Sequence, residues 1–191
     1  MARGPMLGNG VFCLEGEWNR NLTSRASVLP TLEHLERLGE IKFIHKDVAT
    51  REEMRYYFQR LDARRYNRYL VVYLAMHGDP GCLWVNSRDK QPLDLMELAD
   101  LMGTSCSERD VYFGSCQTVS APPTELAEFK RRTGVRRMCG YTRPVEWVEA
   151  SAFEILLLSA MVRARYQDGA ERHLQSEPFR SFTKKLGLVF I

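Results

Sequence analysis

Residues 69–78 read YLVVYLAMHG, and this segment decides the fold. Its apolar part, residues 69–76, is continuous and lacks the alternation of a half-exposed strand. Such a run is typical of a central strand that is buried on both faces of a parallel sheet. The strand runs directly into His77 and Gly78, so the sequence predicts a buried strand that delivers a histidine at its carboxyl end.

Strand-like and helix-like segments alternate on both sides of this run. Further strands are predicted at residues 10–14, 41–45, 111–116 and 136–141, with an edge strand at 187–191. Helices are predicted at residues 28–38, 51–61, 93–102, 124–132 and 146–165. This order predicts a three-layer α/β fold, in which a mostly parallel sheet of about six strands has helices on both faces and right-handed crossovers. No repeat or linker marks a boundary, so residues 1–191 are predicted to form a single domain.

Composition and charge exclude several classes of protein. With 45% hydrophobic and 27% charged residues, the chain has the composition of a globular domain. The apolar run at residues 155–158 is bounded by Glu154 and Ser159, and it is far shorter than the roughly 20 residues of a membrane span. The N-terminus lacks a secretory signal, so we expect a cytoplasmic protein with no membrane partner. A net charge of +3 does not indicate nucleic-acid binding, and the arginine-rich residues 64–68 are interpreted as a solvated turn.

Two predicted strands end in residues that can perform nucleophilic chemistry. His77 follows the strand at 69–76, and Cys116 ends the strand at 111–116. In open α/β sheets, reactive groups gather at the carboxyl ends of strands, so neighbouring strands would bring imidazole and thiol to one crevice. There the histidine can take the thiol proton and the thiolate can attack a carbonyl group. The backbone N–H groups of Gly78 and Cys116 are the candidate oxyanion hole.

The other four cysteines carry no such pattern. Cys13 and Cys139 fall inside predicted strands, and Cys82 and Cys106 fall in connecting segments without a partner histidine. An odd number of cysteines without metal-type spacing argues against a disulfide framework or a structural zinc site. We therefore expect no metal and no cofactor.

An apolar strand ending in His77-Gly78, followed by a second apolar strand ending in Cys116, resembles the caspase-like cysteine peptidases, which include caspases, metacaspases and CHAT-type peptidases. The resemblance extends from Val11 to about Ala160 and is closest to small bacterial members. The chain departs from animal caspases, which have Gln-Ala before the cysteine where this chain has Gly-Ser. The resemblance implies a cysteine endopeptidase that cleaves protein or peptide substrates through a Cys-His dyad and an acyl-enzyme. It also implies an activating partner protein and a role in bacterial stress or defence.

In that family, the loops after the first and fifth strands build the pocket for the residue before the scissile bond. The resemblance therefore implies substrate-binding roles for Arg25, Tyr141, Arg143 and Glu146. These side chains conflict in sign, because the arginines suit an acidic substrate residue, Glu146 suits a basic one, and Tyr141 suits an apolar one. The preferred side chain is left open.

Two other functions compete with the peptidase. A catalytically silent caspase-like module would bind partners without cutting, although the retention of both His77 and Cys116 argues against it. A flavodoxin-like binding domain shares the alternation of strands and helices, but the sequence has no glycine-rich loop that would cradle a phosphate.

Overall fold

The computed structural model describes residues 10–164 and 169–191. Its strands are β1 (Gly10–Glu15), β2 (Lys42–Asp47), β3 (Tyr69–Ala75), β4 (His77–Asp79), β5 (Cys82–Trp84), β6 (Leu93–Asp94), β7 (Asp110–Phe113), β8 (Arg137–Tyr141) and β9 (Leu188–Phe190). Its helices are α1 (Leu29–Arg37), α2 (Arg51–Leu61), α3 (Leu95–Met102), α4 (Pro123–Thr133), α5 (Trp147–Arg163), α6 (Gly169–Gln175) and α7 (Phe179–Leu186). Residues 1–9, from which the lack of a signal was argued, and the predicted helix end at 165 lie outside the described residues.

A six-stranded sheet in the order β2-β1-β3-β7-β8-β9 forms the centre of the molecule. Neighbouring strands are parallel except β9, which pairs antiparallel with β8 as the predicted edge strand. β3 comprises the apolar residues 69–75, and it is the third strand of the sheet, between β1 and β7. The predicted α/β fold is confirmed.

Each face of the sheet has its own hydrophobic core. In β1, Phe12 and Leu14 pack with α2, α3 and α4 on one face, while Val11 and Cys13 pack with α1, α5, α6 and α7 on the other. This division follows from the two-residue period of a strand. Helices therefore cover both faces, as the predicted three-layer arrangement requires. None of the described helices is long and apolar enough to cross a membrane.

The structure differs from the sequence prediction at several boundaries. The predicted helix at 93–102 begins at Leu95, because residues 93–94 pair with β5 and the Asp94 carboxylate caps the helix through the N–H of Glu97. The predicted strand at 111–116 ends at Phe113, and His77 begins a small antiparallel sheet of β4, β5 and β6. Helices α6 and α7 were not predicted, because neither short segment shows a long helical repeat of apolar residues.

Candidate active site

His77 and Cys116 follow a pair of adjacent strands at equal distances along the chain. β3 and β7 are adjacent and parallel, and Leu74 pairs with Phe113. His77 and Cys116 each follow their member of this pair by three residues, since 77 − 74 and 116 − 113 are equal. Both residues line one cleft of about 240 Å³ at the carboxyl ends of the strands. The sequence expectation that the two would share a crevice is met.

Gly78 packs directly against the segment that carries the cysteine. A Cβ atom at this position would lie 2.8 Å from the carbonyl oxygen of Cys116 and 2.4 Å from Oγ1 of Thr118. The Thr118 hydroxyl also donates to the carbonyl of Cys82 at 3.1 Å, and the N–H of Gly81 donates to the carbonyl of Thr118. The β4–β5 hairpin and the cysteine segment are therefore fastened together, and only glycine fits at position 78.

The backbone turns sharply at Cys116. Gly114 allows the close approach of the Tyr73 ring, because a Cβ atom there would lie 2.2 Å from Cε2 of that ring. Gln117 adopts a left-handed conformation with φ of 56°, which is uncommon for a residue other than glycine. Strained backbone of this kind is concentrated at functional sites. Cys116 is half-buried at the point where the chain leaves the sheet.

The imidazole of His77 is held by Trp18. Nε2 of His77 lies 2.9 Å from the carbonyl oxygen of Trp18, and the two rings meet edge to face with centroids 5.2 Å apart. A carbonyl oxygen only accepts hydrogen bonds, so Nε2 carries a proton and Nδ1 is the acceptor in the neutral ring. Among the described residues, no hydrogen bond joins this ring to the Cys116 thiol.

Trp18 is in turn held by the buried carboxylate of Glu15. That carboxylate accepts four hydrogen bonds: from Nε1 of Trp18 at 2.5 Å, the hydroxyl of Ser27 at 2.8 Å, the N–H of Val28 at 2.8 Å and Nε2 of His45 at 2.6 Å. Burial alone would raise the pKa of Glu15, but these bonds, led by that from His45, outweigh it and lower the pKa. Glu15 therefore stays ionised and fixes the loop that holds His77. The sequence analysis treated this residue as part of a loop.

Glu154 of α5 is a second buried carboxyl, and it lines the cleft. The hydroxyls of Tyr73 and Tyr112 each donate to Oε1 of Glu154 at 2.8 Å. Burial raises the pKa of Glu154 to about 7, and the two tyrosine bonds offset only part of that effect. Sequence reasoning missed this residue, because it interrupts an apolar run that reads as core. The signal was an acid in such a run without a basic residue one helical turn away.

The four residues expected to bind substrate are not among those that line the cleft. Tyr141 is wholly buried, with its hydroxyl oxygen 2.9 Å from that of Tyr112, so the expected substrate contact is not supported. Arg25, Arg143 and Glu146 are exposed. Trp147, which the sequence offered together with Tyr141 as a wall of an apolar pocket, does line the cleft.

Burial keeps the other four cysteines in the neutral thiol form. It raises the pKa of Cys106 to about 12 and raises those of Cys13, Cys82 and Cys139 above the ordinary value of 9.0. Cys13 and Cys139 are in the core, as their positions in predicted strands indicated, and Cys106 is buried in its connecting segment. Cys116 is the cysteine that lines the cleft with a histidine.

One group of side chains in the described chain has the composition of a metal site. The ligand atoms of Glu15, His45 and Asp47 lie within 4.8 Å of one another. The separation of 2.6 Å between Nε2 of His45 and Oε2 of Glu15 is a hydrogen-bond distance, shorter than the roughly 3.4 Å between two ligands of a tetrahedral zinc ion. These residues support the site by hydrogen bonding.

Comparison with known proteins gives a family and a fold. The model of DUF6642, a family of unknown function, matches residues 8–166. No curated protein matches the chain. Among solved structures, the chain is similar to a secreted C11 cysteine protease from Bacteroides thetaiotaomicron, whose X-ray structure holds an irreversible peptide inhibitor, with a TM-score of 0.59 and 11% identity over 93% of this chain. The chain spans 59% of that protein's length. This likeness concerns the fold alone, and it supports the caspase-like fold expected from the sequence.

Proposed function

Because the chain belongs to DUF6642, a family of unknown function, we propose its function from the site: it is a cysteine endopeptidase in which Cys116 is the nucleophile and His77 the general base. One observation carries the proposal, namely that His77 and Cys116 follow paired residues of adjacent parallel strands by the same number of residues and line one cleft. The similarity of the fold to a C11 cysteine protease supports the same class of reaction.

Trp18 prepares the histidine for this role. Its carbonyl fixes the proton on Nε2 of His77, which leaves the lone pair of Nδ1 free to take the proton of the Cys116 thiol. In enzymes without substrate, such catalytic hydrogen bonds are often long and tighten only when the substrate binds. The missing hydrogen bond between the two side chains fits a resting enzyme of this kind.

The reaction then proceeds in two steps. The Cys116 thiolate attacks the carbonyl carbon of the scissile bond, and the N–H groups of Gly78 and Cys116 donate to the oxygen that becomes negative. His77 gives its proton to the leaving amine as the C–N bond breaks, which leaves a thioester on Cys116. His77 next takes a proton from water, the hydroxide attacks the thioester, and the thiol and the carboxylic acid product are released.

Labelling with peptidyl acyloxymethyl ketones tests the proposal. The Cys116 sulfur displaces the carboxylate of the reagent, forms a thioether and adds a fixed mass to the intact protein. Cys116→Ala is expected to take up no label, and His77→Ala to react at least about 100-fold more slowly, the scale of lost general-base assistance. Cys82→Ala is the matched control, because this half-buried thiol lies outside the cleft and its removal leaves labelling unchanged. Equal labelling of Cys116→Ala and the native protein would rule out this nucleophile.

The same experiment separates the peptidase from a silent binding module. A module without activity would take up no label with any reagent. Activation by a partner protein and a setting in bacterial defence remain predictions from the resemblance. A protein that labels only after a candidate partner is added would support the first of these.

A further inference from the structure

The cleft is lined by an acid without a basic partner. Glu154 is 3% exposed, yet it lines the same cleft as His77 and Cys116. No lysine or arginine is among the described residues that line this cleft, and no ion pair to Glu154 occurs in the described chain. The buried carboxylate of Asp110, by contrast, pairs with Arg136 and Arg137.

The two hydrogen bonds to Glu154 use one of its oxygens. Both tyrosine hydroxyls donate to Oε1, which leaves Oε2 without a donor among the described residues. Burying a carboxyl group without donors is costly, so such groups are normally fully bonded. A group left half-satisfied at the edge of a cavity can be completed by a ligand that donates hydrogen bonds.

The other side chains that line the cleft are largely apolar and aromatic. They include Trp18, Trp147, Val28, Met76, Val145 and Ala150. Trp18 and Trp147 meet edge to face with centroids 4.7 Å apart. Lysine and arginine match such a cavity, because they bury an aliphatic stem along apolar surface and carry a cation that aromatic rings attract.

We propose that Glu154 is a specificity-determining residue that makes the enzyme prefer lysine or arginine immediately before the scissile bond. Cys116 lines the same cleft, so the side chain next to the attacked carbonyl group is the one that enters it. The ammonium or guanidinium group then donates to the Glu154 carboxylate. This inference rests on the proposed function and adds the substrate class to it.

A pair of matched reagents tests the inference on the full chain. Peptidyl acyloxymethyl ketones that differ only in lysine or norleucine at the leading position differ in the ammonium group, while the aliphatic stem is shared. The lysine reagent is expected to label Cys116 about 10- to 100-fold faster, the size of a hydrogen bond between charged groups. In Glu154→Gln this ratio falls to near one, while the rate with norleucine stays within about twofold of the native rate.

Glu146→Gln tests the rival carboxyl, which is exposed at the start of α5. It is expected to retain the native preference for lysine, and loss of the preference in this variant would overturn the assignment to Glu154. Equal rates for lysine and norleucine in the native protein would also overturn it, while the peptidase itself would stand. If Glu154→Gln slowed labelling of Cys116 equally with the lysine and the norleucine reagent, Glu154 would have a structural role and would not determine specificity. If no reagent labels Cys116, the proposed function fails and this inference fails with it.

Discussion

Two glutamates lie buried beneath the candidate active site, and they have opposite surroundings. Glu15, at the end of β1, is 2% exposed and accepts hydrogen bonds from four groups on both of its oxygens. Glu154, on α5, is 3% exposed and accepts two hydrogen bonds on one oxygen. The pKa of Glu15 is lowered, because its hydrogen bonds outweigh the effect of burial, whereas burial raises the pKa of Glu154 to about 7.

The comparison shows that burial alone does not decide the state of a carboxyl group. Burial raises the pKa in both cases; four hydrogen bonds outweigh that effect at Glu15, whereas the two hydrogen bonds at Glu154 do not. Both carboxylate oxygens of Glu15 accept hydrogen bonds from the protein, so its function is to hold the loop that carries Trp18. One oxygen of Glu154 has no donor among the described residues, so it can still bind a cation that enters the cleft.

The largest expected effect on stability comes from replacing Glu15, whose carboxylate accepts four hydrogen bonds. Glu15→Ala leaves four hydrogen-bond donors without their acceptor, and one of them is the buried backbone N–H of Val28. The substitution should lower the free energy of unfolding by about 3 to 4 kcal/mol. Urea denaturation would measure this loss. Labelling at Cys116 should also fall, because the loop no longer fixes the Trp18 carbonyl against His77. Native stability in this variant would show that the four hydrogen bonds do not fasten the loop.

The second effect has the opposite sign and depends on pH. Between the ordinary value of 4.5 and a pKa of about 7, Glu154 is ionised in the unfolded chain and protonated in the folded one. The folded state then binds more protons, so the free energy of unfolding falls as the pH rises, by roughly 3 kcal/mol in total. Glu154→Gln cannot ionise, so relative to the native protein it should gain about this much stability between about pH 4 and about pH 8.

The groups facing Glu154 do not obscure this measurement. Burial raises the pKa values of Tyr73, Tyr112 and Tyr141 well above 10.0, so all three stay neutral in this range. The pKa of Glu15 is lowered from 4.5, its titration is common to the variant and the native protein, and its negative charge adds to the rise at Glu154. Urea denaturation across the pH range would give the slope of the free energy of unfolding against pH for the native protein and for Glu154→Gln. Parallel slopes for the variant and the native protein would show that Glu154 is ionised in the folded state.

Much of the fold was predictable, because local patterns determine it. The apolar run of β3 needed no tertiary information, and the capping box of Thr50 and Glu53 marked the start of α2 correctly. The positions of His77 and Cys116 followed from the same reasoning, since a strand end is visible in sequence. The roles of Glu15 and Glu154 were not predictable in this way, because their partners lie 12 to 81 residues away along the chain, apart from Trp18.

The substrate pocket shows the same limit. Sequence reasoning assigned it to charged residues in the loops, of which Arg25, Arg143 and Glu146 are exposed outside the cleft. The cleft is instead walled by apolar side chains and has its acid on a helix. Exposure and burial depend on how α5 packs over the sheet, and the composition of the loops carries no information on that packing.

The smallest effect tests whether Glu15 depends on one donor or on all of them. His45 lies on β2, which is on the opposite side of β1 from β3 and His77. His45→Ala therefore removes one hydrogen-bond donor to Glu15 and leaves the donors of Trp18, Ser27 and Val28 in place. The expected loss of unfolding free energy is about 1 to 2 kcal/mol, with labelling at Cys116 within about twofold of native. A double-mutant cycle with Glu15→Ala would isolate the coupling between the two side chains. If His45→Ala lowered the free energy of unfolding as much as Glu15→Ala, His45 alone would fix the Glu15 carboxylate. The loop would then depend on one hydrogen bond and not on four.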